Sequence, residues 1–112
     1  MRDIYAIPDH PEVLLFVATD RISAFDVVMK SGIPGKGKIL TQMSLFWFDL
    51  LHDIAPSHVI TSDLNQMPPV VLEYADQLSG RSMLVRRLSI FPVEAIVRGF
   101  ITGRVTSKRD WG

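Results

Sequence analysis

Residues 13–18 form an unbroken apolar run, Val-Leu-Leu-Phe-Val-Ala, and this run constrains the fold more than any other feature of the sequence. Six residues suffice for a strand but are too few for a typical helix, and the lack of polar alternation indicates burial on both faces. Residues 4–7 give a shorter strand just before it, and Pro8, Asp9 and Pro11 mark the turn between them. The pair predicts a β-hairpin within a sheet that is covered on both sides.

The rest of the chain supplies one long helix and more strands. Residues 39–53 carry apolar side chains at helical spacing, while Phe46 and Phe48 fall outside that stripe, so this helix needs cover on more than one side. Further strands are predicted at residues 58–61, 82–88 and 93–99. Because strands and helices do not alternate, the order predicts an α+β fold with a mainly antiparallel sheet and one long helix.

Composition narrows the class of protein. The chain has 112 residues, which is enough for one domain, and its twelve basic residues balance twelve acidic ones, so no basic field indicates nucleic acid. Cysteine is absent, which favours a reducing compartment, and the three histidines are not spaced as metal ligands. The most apolar stretch, residues 39–51, is too short to span a bilayer, and the first residues lack a secretory signal. We therefore expect a cytoplasmic protein without a membrane anchor, a nucleic-acid partner or a metal site of its own.

The first motif is the glycine-rich segment at residues 32–38, Gly-Ile-Pro-Gly-Lys-Gly-Lys, just before the predicted helix. Its spacing fits a phosphate-binding P-loop as far as the lysine. A P-loop then needs a hydroxyl that holds Mg²⁺, and this chain has Ile39 there. That mismatch favours a flexible glycine loop before a helix over a true P-loop.

The second motif, residues 20–26, places Asp20, Arg21, Ser23 and Asp26 at the end of a buried strand. Polar groups held there by a rigid sheet often line a functional site. The alternative is turn capping by Asp20 and Ser23, with Asp26 simply solvated. These residues alone leave both interpretations open.

The third motif lies in the predicted strand at residues 93–99, where alternation places Glu94, Ile96 and Arg98 on one side. The planar guanidinium of Arg98 suits bidentate contact with a phosphate or carboxylate. The alternative is an exposed Glu94–Arg98 face. In the preceding strand, Arg86 or Arg87 could likewise point inward to a ligand, although surface exposure is the ordinary case.

Taken together, four segments resemble the SAICAR synthetase family from Arg2 to about Gly103. They are residues 2–5 (Arg-Asp-Ile-Tyr), 20–26, 39–48, and 92–103 with Pro-Val-Glu, Ile-Val-Arg and Thr-Gly. The chain departs from the family pattern at Phe91 and at Arg104, where the family has serine. The Gly-Lys that opens the family's phosphate turn is also missing before Met1, and the signature of the family's C-terminal lobe is not present.

This resemblance implies an ATP-dependent carbon–nitrogen ligase of purine biosynthesis. ATP is thought to phosphorylate the carboxylate of an aminoimidazole ribotide, the amine of L-aspartate then displaces the phosphate, and Mg²⁺ neutralises the nucleotide oxygens. The resemblance assigns substrate contacts to Arg98, Arg21, Ser23 and Asp26. It assigns cofactor contacts to Arg2, Arg86, Glu94, Gly35, Lys36 and Gly37, and it identifies no catalytic residue.

The same resemblance predicts the domain organisation. Residues 1–103 correspond to a kinase-like N-terminal lobe on the ATP side, residues 104–112 diverge, and the C-terminal lobe is absent. We therefore expect a truncated chain that is inactive alone and self-associates through uncovered apolar surface. The alternative is a non-catalytic nucleotide-binding or interaction fragment, with a piece of a P-loop NTPase as a weaker one.

Overall fold

The computed structural model describes residues 1–93 and 95–100. Its strands are β1 (Arg2–Ile7), β2 (His10–Ala18), β3 (Ser23–Ala24), β4 (Val27–Val28), β5 (Val59–Thr61) and β6 (Ser82–Arg86). Its α-helices are α1 (Lys36–Leu50), α2 (Pro69–Leu72) and α3 (Ala75–Leu78), with a 3-10 turn at Leu64–Gln66. Four strands form an antiparallel sheet in the order β1-β2-β6-β5, and β3 and β4 form a separate pair. The predicted α+β fold with an antiparallel sheet and one long helix is confirmed.

The predicted hairpin is strands β1 and β2. Only Pro8 and Asp9 separate them, and Asp9 takes a φ of 63°, a left-handed conformation that Asp tolerates in tight turns. The register pairs Ile4 with Phe16, and β6 pairs with the other edge of β2. The apolar run therefore forms a central strand, which explains its burial.

The two faces of β2 are covered by different elements. On one face, Val13, Leu15 and Val17 pack with Met67 and with residues of β1, α2 and β6 in the buried core. The other face carries Phe16, and α1 packs against β2 there. The continuous run is thus apolar because both faces are covered, as the sequence predicted.

Helix α1 begins three residues earlier than predicted and ends three residues earlier, at Leu50 instead of residue 53. The predicted glycine loop therefore ends in the first turn of the helix. Gly35 supplies the N-cap with a φ of 80°, which favours glycine, and the turn at Pro34 and Gly35 leads directly into Lys36. Within the described residues, no helix is long and apolar enough to cross a membrane.

The second polar motif forms the small β3–β4 hairpin. Phe25 and Asp26, the two residues between these strands, have φ values of 50° and 63°. Two consecutive positive φ angles correspond to a type I′ turn, which joins short antiparallel strands. The predicted polar loop is therefore a tight hairpin that follows β2 after a short connection.

The predicted strand at residues 93–99 is wrong for the residues that the structure describes there. Residues 93 and 95–100 contain no strand, and the apolar side chains Val93, Ile96, Val97 and Phe100 are exposed. An alternating pattern shows that residues suit a strand, but the strand forms only when a neighbouring strand accepts its backbone hydrogen bonds. In the four-stranded sheet, β2 and β5 lie on either side of β6, and the outer strands are β1 and β5. The described residues of the segment pair with neither outer strand.

Candidate functional site

Asp20, two residues after β2, is the centre of the polar contacts at this end of the sheet. Its Oδ1 accepts the backbone N–H of Gly37 at 2.8 Å, and its Oδ2 accepts that of Gly35 at 3.1 Å. The Arg81 guanidinium lies against the same carboxylate at 3.3 and 3.4 Å. Because Arg81 directly precedes β6, Asp20 joins the end of β2, the start of α1 and the start of β6.

These contacts keep Asp20 ionised. The N–H groups of Gly37 and then Gly35 lower the pKa of the Asp20 carboxyl below its ordinary value; partial burial opposes them, and Arg81 lowers the pKa further. The carboxylate also lies at the positive end of the α1 dipole, where a negative charge is favourable. Asp20 therefore acts as the capping group of α1, supplied by another element.

Two glycines allow this close approach. A Cβ atom built on Gly37 would lie 2.2 Å from the carbonyl oxygen of Ala18, and one on Gly32 would lie 2.8 Å from the carbonyl oxygen of Asp20. The N–H of Ile33 donates to that same Asp20 oxygen at 2.8 Å. The glycine-rich segment is therefore pressed against the end of β2 along its length.

Cationic side chains collect around Met1, beside this anionic centre. The Arg21 guanidinium forms an ion pair with Asp3, and Lys36 Nζ donates to the backbone oxygen of Arg21 at 3.3 Å. Desolvation lowers the pKa of the Met1 amino group, and Lys36, Arg21 and Arg2 lower it further. The Met1 amino group donates to the same Arg21 oxygen at 3.3 Å, so Arg21 and Lys36, two of the predicted site residues, lie together beside Met1, and we call this group the cationic edge.

Aromatic rings hold Arg2 on the α1 face of the sheet. Its guanidinium carbon lies 5.5 Å from the centroid of the Phe16 ring, a cation–π distance. The Phe16 ring lies 5.8 Å from His58, whose ring also contacts Phe48 of α1 at 5.4 Å. Burial, with a smaller contribution from Arg2, lowers the pKa of His58, so this imidazole is neutral at pH 7.

The remaining predicted residues lie elsewhere. Ser23 begins β3 and Asp26 lies in the turn of that hairpin, so both are close in sequence to Asp20. Arg86 ends β6 and pairs with Val13, about 16 Å along β2 from Ala18 at the strand's rise per residue. By strand alternation, its side chain belongs to the face opposite that of Phe16, so the structure does not bring Arg86 to the same place as Arg2.

Two predicted residues belong to the third motif. Arg98 is exposed in the segment that lacks a strand, so the alternation that was expected to orient it does not apply. Glu94 lies outside the described residues. Their assignments to substrate and cofactor stay predictions.

The P-loop interpretation does not fit the structure. The sheet is antiparallel, whereas a P-loop joins a strand and a helix of a parallel βαβ unit. The N–H groups of Gly35 and Gly37, which would have to cradle phosphate, donate to Asp20. The alternative interpretation, a glycine segment that leads into a helix, agrees with both observations.

A cavity of about 780 Å³ lies on the face opposite α1, between the β1–β2 hairpin and the α2–α3 region. Its floor is apolar, with Leu15, Val17 and Val71, and Tyr5 and Tyr74 also line it. None of the predicted site residues is among its lining residues. Asp3 and Arg81, the ion-pair partners of Arg21 and Asp20, also line the cavity, so it lies next to the charged groups around Asp20.

Sequence reasoning missed the central role of Asp20. The sequence offers Asp20 either as one of the polar groups that line a site or as a local turn cap, and neither interpretation includes its contacts with distant elements. Its partners Gly35, Gly37 and Arg81 are 15, 17 and 61 residues away in the chain. Two sequence features could have indicated this role. Asp20 is a carboxylate at the end of a strand, and the start of α1 is glycine-rich and has no acidic residue in its first turn, so its N–H groups need an acceptor from elsewhere.

The fold and the cationic edge together define an α+β lobe whose small sheet and capped helix present positive charge at one end. The family model for SAICAR synthetase matches residues 1–111 of the chain. The chain therefore belongs to the SAICAR synthetase family.

Curated relatives support this assignment. A phosphoribosylaminoimidazole-succinocarboxamide synthase from Desulfotalea psychrophila is 60% identical over 103 residues, and one from Schizosaccharomyces pombe is 53% identical over 103 residues. Each alignment covers 92% of this chain and 34% of the relative. The chain thus spans about a third of the length of the curated relatives that it matches.

Solved structures show the same fold. A SAICAR synthase from Saccharomyces cerevisiae, complexed with SAICAR, superposes with a TM-score of 0.80 at 44% identity, covering 91% of this chain and 36% of that one. A SAICAR synthetase from Pyrococcus horikoshii superposes with a TM-score of 0.60 at 24% identity, covering 82% of this chain and 34% of that one, which supports the fold alone. The expected membership of the SAICAR synthetase family is thereby confirmed, and the assignment of residues 1–103 to an N-terminal lobe stays a prediction.

Proposed function

We propose that this chain forms the ATP-side lobe of a ligase that joins L-aspartate to the carboxylate of an aminoimidazole ribotide. Family membership supports the proposal, together with the similarity to a yeast enzyme whose structure contains SAICAR. The observation that carries it is the meeting of Met1, Arg21 and Lys36, where the Met1 amino group and Lys36 Nζ both donate to the Arg21 backbone oxygen at 3.3 Å. A triphosphate and a ribotide phosphate both need such a concentration of positive charge.

In this proposal the cations bind and orient the anionic groups. When bound, ATP supplies the phosphoryl group that activates the ribotide carboxylate toward the amine of L-aspartate. Arg2, held by the Phe16 ring, and Lys36, at the start of α1, attract the phosphates. Gly35 and Gly37 border the site through their backbone, which Asp20 keeps in place, because catalysis by positioning requires a rigid frame.

The described residues do not supply a Mg²⁺ site of their own. No group of three or more His, Cys, Asp or Glu side chains that could hold a metal occurs among them. We therefore derive no step through Mg²⁺ from this chain.

The substrate side of the proposal uses Arg21, Ser23, Asp26 and Arg98. Arg21 lies just before the β3–β4 hairpin, and Ser23 and Asp26 lie within it, close in sequence to Asp20, which supports their assignment to the same side of the site. In the proposed enzyme, Arg98 contacts the ribotide. Such an enzyme acts in the cytoplasm, on small-molecule substrates.

A chimera tests the proposal. Residues 1–103 replace the matching third of the Saccharomyces cerevisiae enzyme, and amide formation is measured with ATP, L-aspartate and the ribotide. We expect activity within about tenfold of the yeast enzyme, because the fold of this third is shared. The control is the same chimera with Lys36→Met, which removes one cation and should weaken ATP binding. A folded chimera that binds neither ATP nor the ribotide would contradict the proposal.

The exposed apolar side of α1 favours a second candidate, a non-catalytic interaction fragment. Calorimetric titration of the chain with ATP separates the two. Measurable binding that Lys36→Met weakens favours the ligase lobe, whereas no binding in chain and chimera alike favours the fragment.

A further inference from the structure

The ion pair of Arg81 with Asp20 is better shielded from solvent than the other ion pairs among the described residues. The Arg81 and Asp20 side chains are 21% and 28% exposed, whereas the side chains of the other pairs are between 37% and 87% exposed. Exposed pairs are screened by water and salt and contribute little, while shielded pairs keep more of their attraction. This pair is therefore a structural part of its end of the sheet.

The Arg81 guanidinium contacts both oxygens of the Asp20 carboxylate. Its Nη1 lies 3.3 Å from Oδ1, and its Nη2 donates to Oδ2 at 3.4 Å. The same two oxygens accept the N–H groups of Gly37 and Gly35, respectively. Each oxygen thus has one backbone donor and one guanidinium donor. Because the guanidinium is a planar fork, it fixes the rotation of the carboxylate that the two glycine N–H groups require.

The backbone of Arg81 is itself held from two sides. Its carbonyl oxygen accepts the N–H of Ala18 at 2.8 Å, and its own N–H donates to the carbonyl oxygen of Leu78 at 3.2 Å. Gly80, with a φ of 75°, makes the turn that leads into β6. Arg81 is therefore attached to the end of β2 and to the end of α3, and its side chain reaches Asp20 from a fixed position.

Asp20 connects this ion pair to the cationic edge. Lys36 lies between the two glycines whose N–H groups donate to Asp20, so its backbone is held on both sides. Arg21 directly follows Asp20, and its carbonyl oxygen accepts Lys36 Nζ. The relative position of these two cations therefore depends on the Asp20 carboxylate and, through it, on Arg81.

Arg81 also balances the charge of Asp20. Without its guanidinium, an uncompensated carboxylate would lie next to Arg21, where it would repel the anionic groups that the cationic edge attracts. With it, Asp20 can orient the start of α1 while the edge keeps its positive charge. Loss of Arg81 would thus weaken anion binding in two ways, through geometry and through charge.

We propose that Arg81 is a positioning residue for the ATP phosphates, which acts through Asp20 and not by contact with the ligand. This inference rests on the proposed function, in which the cationic edge binds anionic groups, and it adds a residue that lies outside all three sequence motifs. A phosphate chain contacts two cations at once only when their spacing matches the spacing of its oxygens. Fixing that spacing before the ligand arrives reduces the cost of binding.

Hydrogen exchange of the 112-residue chain tests the positioning without any ligand. Arg81→Met should speed exchange of the Gly35 and Gly37 amides by about tenfold, while amides between β2 and β6 keep their protection. Arg81→Lys keeps the charge but loses the fork, so it should give a smaller increase. Arg87→Met is the matched control, because Arg87 is exposed and directly follows β6 at its other end. Unchanged glycine amides in Arg81→Met, or faster exchange throughout the sheet in both Arg81 variants, would overturn the proposal.

Calorimetric titration with ATP, in the chain and in the yeast chimera described above, tests the effect on the ligand. We expect Arg81→Met to weaken ATP binding by about tenfold, Arg81→Lys to weaken it less, and Arg87→Met to leave it unchanged. Circular dichroism confirms that each variant folds. If the unaltered proteins bind ATP and Arg81→Met binds it equally well, this inference fails while the proposed function stands. If neither unaltered protein binds ATP, the proposed function fails, and this inference fails with it.

Discussion

Replacing Gly37 by alanine tests whether the contact between α1 and β2 controls stability. Helix propensity alone favours alanine over glycine by about 1 kcal/mol. The new Cβ, however, would lie 2.2 Å from the Ala18 carbonyl oxygen, and both atoms belong to the backbone frame. The helix start must retreat by about 1 Å to reach an ordinary van der Waals distance. That shift lengthens the 2.8 Å hydrogen bond from Gly37 to Asp20 beyond the hydrogen-bonding range.

The expected result is a loss of stability. Overpacking costs about 1–3 kcal/mol, and a clash with a backbone atom belongs at or above the upper end, so a net destabilisation of about 1–3 kcal/mol remains after the propensity gain. For a domain of this size that corresponds to a fall in Tm of roughly 5–15 °C. Circular dichroism during heating measures it, at a concentration where light scattering shows one species.

Gly99→Ala is the control, because nothing lies within 4 Å of its added Cβ, and it should change stability by less than about 0.5 kcal/mol. Gly35→Ala provides a second comparison: its Cβ is also unobstructed, but a φ of 80° strains any other residue, at a cost of about 1–2 kcal/mol. A Gly37→Ala chain as stable as the unaltered one would refute the reasoning, since helix propensity would then outweigh the contact.

Three other predictions concern charge and completeness. The folded state lowers the pKa of Asp20, so the stability that its carboxylate contributes is complete above the ordinary pKa of about 4 and is lost as the pH falls through the lowered value. Urea unfolding should therefore show that the difference in free energy of unfolding between the unaltered chain and Asp20→Asn becomes smaller below about pH 4. A difference that does not change with pH would contradict this prediction. Arg98→Met in the yeast chimera should weaken ribotide binding by about tenfold to a hundredfold, as loss of a charge-assisted phosphate contact does, with little change in Tm; calorimetry that shows equal affinity would remove Arg98 from the site. The isolated chain should form no amide in a coupled ATP assay, because the second lobe is needed for positioning; turnover at ordinary enzyme rates would disprove that dependence.

Much of the fold follows from local pattern. The unbroken run at residues 13–18 predicted a strand covered on both faces, and β2 has the core on one side and α1 on the other. The helical stripe predicted α1, although three residues late, because the cap at Gly35 depends on a carboxylate from another element. The strand expected at residues 93–99 did not form among the described residues, since alternation cannot show whether a neighbouring strand is available.

For the candidate site, too, some features follow from the sequence and others depend on the fold. The residue types in the motifs indicate anion binding, which stays a prediction, and the structure brings Arg21 and Lys36 together beside Met1. The resemblance also assigned Arg86 and Arg2 to the same cofactor site. In the sheet they lie near opposite ends of β2, next to Val13 and Ala18, and on opposite faces. The register of strand pairing decides how far apart two such residues lie and which face each one occupies. This register cannot be read from the order of residues along the chain.

By itself, the sequence determined the kinds of element, the antiparallel α+β class and the family, because these depend on periodicity and on short motifs within continuous segments. Only the tertiary structure decided that Asp20 joins β2, α1 and β6, and that Met43, Trp47 and Leu50 of α1 are exposed while Phe48 contacts His58. Both depend on the distance between elements that are far apart in the chain. Gly37 permits that distance at the start of α1, because a side chain there would overlap the Ala18 carbonyl oxygen.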